Sequence, residues 1–588
     1  MSRAAVAIQN AIALFEGGKP DQAKAALRQY LQRSPQDVQA NKLLAMFHGA
    51  LHEDEQAYVF ISRAALAAPG DGEVQFMLGN VCTILRRYKE GAKAYAAAVK
   101  IDPTNLQAHD GLGKCLLSLG EYERAMEAYE AGLRVAPDNP DLYFRMGVSL
   151  ALIGRLDEAL AVVARGRARM PGDASLLEFL AYYRNFGEAD PIAHREEHAA
   201  LGRTIDPGPP VAFANVRDPG RVLRVGFLSA DFYTHACAFF LVGLLGGLDR
   251  ARVEPFLYSC GERDDAFTAR FRTLGQWRDV SRATPAEIAD RMHADAIDVA
   301  IECCGWTERR VMHAAARRLA PVQMTYLGYP NTTGLANVRY RLVDARTDPP
   351  GAADAHCTEE LVRLPGCFLC YEPPAEARGE FDPTPPSRRA GATGITFGSF
   401  NRVMKISPRA VECWARILRE VEGSTLLIKV QIAAEEVGPA FAGRFKALGV
   451  DPARIRVAPW AKKPGEHFPN YRLMDIALDS FPYNGTTTTC EATWMGVPVV
   501  ALAGGTHRAR VGVSLLETLG LPELVASSPD EYVRIAVDLA RDPARLAAYH
   551  ATLRARMGAS PLVDGAAFAR GFEGAVRGVW RRWCEHPE

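Results

Sequence analysis

The sequence predicts an α-helical repeat superhelix followed by a two-lobed α/β domain. Three observations predict it. Five prolines, Pro35, Pro69, Pro103, Pro137 and Pro171, stand 34 residues apart near the start of the chain. From about residue 221 onward, apolar strand segments alternate with helical ones, the pattern of a parallel sheet built from βαβ units. A Pro-rich stretch at residues 371–394 divides that α/β region in two.

The proline column has companions in phase. Twenty-four residues before each proline stand Ala11, Ala45, Gly79, Gly113 and Gly147, and twelve before it Ala23, Ala57, Gly91, Ala125 and Ala159. Small side chains let the two helices of one unit approach closely. Proline, lacking an N–H and clashing with the preceding turn, ends the second helix. An ordinary helical bundle has no reason to keep three columns in step. A 34-residue helix–turn–helix unit of this pattern resembles the tetratricopeptide repeat, and residues 1–172 are expected as five of them. Such a stack buries its core only between neighbours and leaves a curved groove suited to protein or peptide. The array therefore points to a protein partner and is silent on catalysis.

Composition narrows the rest. Lys+Arg and Asp+Glu both number 69, so the formal charge is zero and nothing draws the chain toward nucleic acid or an anionic membrane. No run of about 18 apolar residues appears, so no membrane span is expected. The opening MSRAAVAIQNAIALFEGG lacks a signal-peptide core and already belongs to the first repeat. Twelve irregularly spaced cysteines suggest reduced thiols and a cytoplasmic protein. Cys367 and Cys370, with His356 and Cys357 upstream, have the spacing of half a metal site. With no second pair to close it, packed free thiols are the better reading, and no metal is expected.

The elements after the repeats fall in order. Residues 173–220 are expected as capping helices and a linker, the linker being IDPGPPVAFANVRDPG at 205–220. A first lobe, residues 221–375, carries strands at 222–229, 253–260, 297–303, 322–328 and 340–345. A linker at 376–394 leads to a second lobe, residues 395–588, with strands at 395–400, 425–430, 454–460, 476–480 and 497–503 and helices to the end. Two such lobes make a cleft, and ligands of these sheets sit beyond the carboxyl ends of the strands.

Five places at those ends could carry chemistry. In SFPYNGTTTTCEATWMGVPVV (480–500), Gly485 permits close backbone approach, and Thr486 to Thr489 lead into a helix. Free amides and aligned dipoles at a helix start favour an anion, here a diphosphate. Thr488-x-x-Glu491 also reads as a plain capping box, so both readings stand. In FGSFNRVMKISP (397–408), Lys405, with Asn401 and Arg402 beside it, could neutralise a diphosphate leaving group without a metal, although a lone loop lysine is commonly just solvated. His235, six residues past the first strand in SADFYTHACAFF, could act as a base or orient a hydroxyl, or be structural. The loop LGYPNTTGLANVRY (327–340) could line an acceptor or sugar pocket, and His467 in KKPGEHF could approach a base or ribose; a tight turn and a surface loop are the plainer alternatives. No Walker A, no GxGxxG after a first strand, no GxSxG and no Asp-x-Asp after a strand is present.

Taken together, the repeats and the ordered segments SADFYTHACAFF, PVQMTYLGYPNTTGL, FGSFNRVMKISP and SFPYNGTTTTCEATWMGVPVV resemble the protein O-GlcNAc transferase family, and within it the SPINDLY branch. The resemblance covers nearly the whole chain. It implies a tetratricopeptide-repeat superhelix and a two-lobed, Rossmann-like, type B glycosyltransferase (GT-B) domain. It implies an inverting, metal-independent enzyme without a cofactor, which transfers a sugar from a nucleotide sugar to Ser or Thr of proteins. By motif, His235 matches the active-site histidine of the first lobe, and Lys405 the lysine that binds the donor diphosphate. Thr486, Thr487 and Thr488 match phosphate binders, and Glu491 a ribose contact. Asn401, Arg402, Ala461 and His467 fall at nucleotide contacts. Thr486 stands where animal-type enzymes carry histidine, Glu491 where they carry aspartate, and Arg402 where they carry glutamine. The donor is thus UDP-GlcNAc, the family default, or GDP-fucose, as for similar plant SPINDLY proteins. Acceptor proteins along the repeat groove are the implied partners, and the repeats are the expected site of any homodimer contact. Two other readings remain: a repeat scaffold with a degenerate transferase domain, and a transferase for a small molecule or glycan.

Overall fold

The computed structural model describes residues 3–380, 382–391, 394–429, 434–458 and 464–586. The chain divides into two compact units, Met1–Ala151 with Ala161–Leu176, and Leu152–Leu160 with Leu177–Glu588. Among the described residues no helix is long and apolar enough to cross a membrane.

Residues 3–169 form five helix pairs: Arg3–Glu16 with Pro20–Leu31, Val38–Ala50 with Asp54–Ala67, Gly72–Ile84 with Tyr88–Ile101, Leu106–Ser118 with Tyr122–Val135, and Pro140–Leu152 with Leu156–Arg169. The small-residue columns are where helices meet. A Cβ on Gly79 would lie 2.7 Å from the Tyr95 ring, and one on Gly113 2.5 Å from the Tyr129 ring. The N-caps also repeat: Asp37, Asp71, Asn105, Asn139 and Asp173 each accept from a backbone amide in the first turn of the following helix.

A further column answers a problem that the prolines create. The carbonyl of each repeat proline lies beyond the helix ladder and must find a donor. Six residues later a buried polar side chain supplies one. Asn41 Nδ2 donates to Pro35 O at 3.0 Å, and Gln75 Nε2 to Pro69 O at 3.3 Å. His109 Nε2 meets Pro103 O at 3.0 Å, and Tyr143 OH donates to Pro137 O at 3.2 Å. A carbonyl only accepts, so His109 carries its proton on Nε2. The fifth proline breaks the series, because position 177 is leucine; the Arg167 guanidinium reaches the Pro171 carbonyl instead.

The second unit holds two parallel sheets. The first is ordered β3-β2-β1-β4-β5-β6-β7, with β1 Leu223–Ser229, β2 Val253–Ser259, β3 Gln276–Asp279, β4 Val299–Glu302, β5 Val322–Thr325, β6 Tyr340–Asp344 and β7 Glu360–Leu364. The second is ordered β10-β9-β8-β11-β12-β13, with β8 Thr396–Ser399, β9 Thr425–Lys429, β10 Ile455–Ala458, β11 Ile476–Leu478, β12 Val499–Leu502 and β13 Val525–Ala526. The central strands are buried on both faces, as helix-covered parallel sheets require.

Three features depart from the sequence reading. β3, β7 and β13 are additional strands at or near sheet edges; QWRD of β3 is half exposed and lacks the apolar run that marks a central strand. The stretch expected to cap the repeats belongs to the second unit from Leu177 onward. There Asn185 and His198 bond to the Tyr329 hydroxyl at 2.7 and 2.8 Å. The terminal helix Gly565–Glu585, assigned above to the second lobe, crosses back to the first. Gly565 approaches the backbone of Gly243 and Gly247 so closely that a Cβ on Gly247 would lie 2.3 Å from its carbonyl. Arg577 donates to the carbonyls of Pro219, Arg221 and Arg252.

The proline-carbonyl column predicts the cost of breaking one rung. His109→Phe keeps a buried ring but strands the Pro103 carbonyl, and should lower stability by about 1–3 kcal/mol. His109→Gln, the residue used at position 75, should recover most of it. Urea denaturation followed by circular dichroism reads both, and an unchanged midpoint in His109→Phe would refute the rung's contribution.

Candidate active site

Both sheets share one topology. β1 and β4 are neighbours in the first, β8 and β11 in the second, and at each pair the strand order reverses. Chains leaving the carboxyl ends diverge there and leave a crevice. A cleft of about 900 Å³ is lined from both lobes by residues following these strands: Asp231, His235 and Cys237 after β1, Thr307 and Glu308 after β4, Asn401, Arg402 and Lys405 after β8, and Tyr483 and Thr486–Thr488 after β11.

The β11 side is built around an aspartate that the sequence reading passed over. Asp479 Oδ1 accepts from Gly485 N at 2.7 Å, Ser480 N at 2.9 Å and Asn401 Nδ2 at 3.1 Å. Asn401 Oδ1 in turn accepts from Thr488 Oγ1 at 2.9 Å. Gly485 is required sterically, since a Cβ there would lie 2.4 Å from Thr488 Oγ1. The helix that follows runs Thr487–Trp494 with Thr486 as its N-cap, whose side chain makes no capping bond. This removes the capping-box alternative. Thr488 lies inside the helix, and Glu491 turns away to accept from His467 Nε2 and Tyr471 OH, both at 2.8 Å. Thr489 is turned inward onto Gly485 O, so the cleft receives Thr486, Thr487 and Thr488.

Lys405 faces this helix start. Its Nζ donates to Asn484 O at 3.1 Å and stands 3.8 Å from the centre of the Tyr483 ring, which Phe186 stacks at 5.2 Å. A short antiparallel bridge between Ile406 and Pro482 ties the two loops together. Burial lowers the Lys405 ammonium to about 7 against the attraction of Asp479. Burial likewise raises Asp479 to about 7 despite its hydrogen bonds and Lys405. Arg402 is exposed on the cleft wall.

In the first lobe His235 Nδ1 lies 3.4 Å from Asp231 Oδ2. Burial holds the imidazole below its usual range, against Asp231, so it is neutral near pH 7. Asp231, His235 and Cys237 present donor atoms within 4.8 Å of one another, a set that could hold a soft cation. Burial raises the Cys237 thiol well above its usual range, so ligation there would first have to remove its proton. All twelve cysteines are unpaired, and Cys367 and Cys370 are buried; Cys367 Sγ accepts from Ser514 Oγ at 3.3 Å.

The remaining expectations divide. His467 lines the cleft and meets Lys429 Nζ through Nδ1. Lys429, the charge closing β9, was missed; a lysine ending the apolar run TLLI was its signal. Asp231 was missed too, although it stands four residues before His235. Of the loop 327–340 only Leu327 and Gly328 reach the cleft. Thr332 and Thr333 instead bond the buried Glu359, and Gly334 packs against the His198 carbonyl. Ala461 lies outside the described residues.

Two Rossmann-like sheets facing one cleft define a type B glycosyltransferase architecture. The profile of Glycosyl transferase family 41 matches residues 190–372 and 389–572, more than half of the chain, and a tetratricopeptide-repeat profile matches 14–79, 85–135 and 120–181. The chain belongs to glycosyl transferase family 41. It is 42% identical over 378 residues to a Petunia hybrida protein named probable UDP-N-acetylglucosamine--peptide N-acetylglucosaminyltransferase SPINDLY, covering 63% of this chain and 40% of the relative. It is 26% identical over 478 residues to the Caenorhabditis elegans UDP-N-acetylglucosamine--peptide N-acetylglucosaminyltransferase, covering 62% and 41%. The chain thus spans about two fifths of the length of these relatives. A solved Thermobaculum terrenum O-GlcNAc transferase mutant aligns over 100% of this chain and 99% of its own, at TM-score 0.68 and 28% identity.

The buried cation predicts a pH dependence. A diphosphate placed in this cleft would favour the Lys405 ammonium, so its binding should take up a proton, and its affinity should fall as pH rises above about 7. Lys405→Met should flatten the profile. Asp479→Asn removes the attraction that holds the ammonium charged, and should move the fall to lower pH. Calorimetry in buffers of different ionisation enthalpy measures the proton uptake; a wild-type profile as flat as that of Lys405→Met would show that Lys405 stays charged throughout.

Proposed function

We propose that this protein is a protein O-glycosyltransferase, moving a sugar from a nucleotide sugar to a Ser or Thr hydroxyl with inversion and without a metal. The observation that carries the reading is the convergence of Lys405, the Thr486–Thr488 helix start and His235 on one cleft in a chain of family 41. The diphosphate sits against the amides and hydroxyls of 486–488, with the Lys405 ammonium neutralising charge as the nucleotide departs. Glu491, oriented by His467 and Tyr471, accepts from ribose hydroxyls. His235, kept neutral by burial, orients or deprotonates the attacking hydroxyl beside the anomeric carbon. Acceptor proteins reach the enzyme through the repeat groove.

The donor is UDP-GlcNAc or GDP-fucose. Titration with UDP and GDP distinguishes them, and a ten-fold preference, about 1.4 kcal/mol, identifies the base. Mass spectrometry of a cell extract incubated with each nucleotide sugar should then show a hexosamine or deoxyhexose adduct on Ser or Thr of proteins. Lys405→Ala should lower that transfer roughly 10²–10³-fold, the scale of one lost electrostatic donor. Nucleotide binding without any glycosylated protein would overturn the reading in favour of a scaffold.

A further inference from the structure

A second cavity, of about 330 Å³, opens in the second lobe away from the residues assigned above to the donor. It is lined by the loop after β12 (Leu502–Thr506), by Phe481 and Pro482, by Ser527 and Pro529, and by three charged residues, Glu188, Arg409 and Arg508. Arg508 is the anomaly. Its residue is 3% exposed, yet among the described residues no hydrogen bond or ion pair meets its guanidinium, and Nε is buried without a partner. The carboxylate that acts on it at longer range, Glu188, lies 3.7 Å from Arg409. Burying a guanidinium is costly unless its charge and its five donors are met. The groups that act on it before Glu188 are the buried hydroxyls of Tyr329 and Tyr483, held neutral by burial. Apart from Glu188 and Arg409 the polar groups lining the cavity are neutral too: the backbone of Gly504 and Gly505, and the hydroxyls of Thr506 and Ser527. A Cβ on Gly505 would meet nothing within 4 Å, so the loop leaves open space beside it.

We propose that this cavity is a binding site for a small oxyanion, a phosphate ester or a carboxylate, held by the Arg508 fork with Arg409 at the rim. The planar guanidinium matches two oxygens of such a group. The volume leaves room for a small organic portion beyond the anion. The site also touches the donor machinery through backbone: Arg508 O accepts from Asn484 N at 2.9 Å, and Asn484 O accepts from Lys405 Nζ. The inference stands on the cavity and its arginine, and does not require the transferase reading.

The test uses the full chain, with and without UDP and GDP, and the Arg508 and Arg409 variants separate this cavity from the large cleft. Inorganic phosphate, a hexose phosphate and citrate are titrated by thermal shift and calorimetry against chloride of equal ionic strength. Wild type should be stabilised by at least one of the oxyanions. Arg508→Met, which removes an unmatched buried charge, should fold and be no less stable without anion, but should bind at least about ten-fold more weakly. Arg409→Gln, at an exposed position, should weaken binding severalfold, and it carries the test if Arg508→Met fails to fold. A response to phosphate and hexose phosphate alone assigns a phosphate ester, and a response to citrate a carboxylate. Absence of any response beyond chloride, or a response unchanged in the variants, overturns the proposal.

Discussion

One buried carboxylate organises the ligand edge of the second lobe. Asp479 leaves the end of β11 and gathers Ser480, Gly485 and Asn401 onto a single oxygen. That fixes the turn into the threonine helix, and through Asn401 it also fixes Thr488. The attraction of Asp479 works against the burial that disfavours the Lys405 ammonium. Asp479 Oδ1 spends its lone pairs on two backbone amides and Asn401, while Oδ2 is buried without a partner among the described residues.

The cleft as a whole is tuned by burial. Desolvation lowers Lys405 and His235 and raises Asp231 and Cys237. All four shifts favour the neutral forms. In the proposed reaction a diphosphate would restore charge to the lysine it meets, so the attraction would be created by the ligand where it is needed. A neutral His235 has one ring nitrogen able to accept a proton, which the proposed role as base would use. The two proposed roles need opposite protonation states. The lobes supply them separately, one loop after β1 and one after β8, across a cleft that the common strand order makes unavoidable.

Much of this was legible in the chain because it follows local rules. Prolines at constant spacing fixed the helix pairs. That Lys405, Thr486–Thr488, His235 and His467 line the cleft was legible because residues just past apolar strands stand at the carboxyl edge of an α/β sheet. Asp479 was hidden by lying within the strand signal itself, where IALDS reads as an apolar run with a polar end. The capping-box reading of Thr488 and Glu491 was locally sound. It lost to tertiary partners, because His467 and Tyr471 lie 24 and 20 residues away in sequence and hold the carboxylate. The return of the terminal helix to the first lobe rests on bare backbone contact at Gly243, Gly247 and Gly565. Glycine carries no side-chain pattern from which such a contact can be read.

The repeat array shows the same limit from another side. Asparagine, glutamine, histidine and tyrosine share no class in a composition table, yet each closes a proline-turn carbonyl six residues behind it. What recurs is a donor at a fixed distance from a backbone acceptor, not a residue type. A search for identical residues finds the prolines and the small columns but misses the rung. Where the next position, 177, turns to leucine, the donor comes from Arg167 behind the proline instead. The last of the divisions between the two units falls at the same place, after Leu176. The backbone still demands a partner there, and the altered supplier marks where one folding rule ends and another begins.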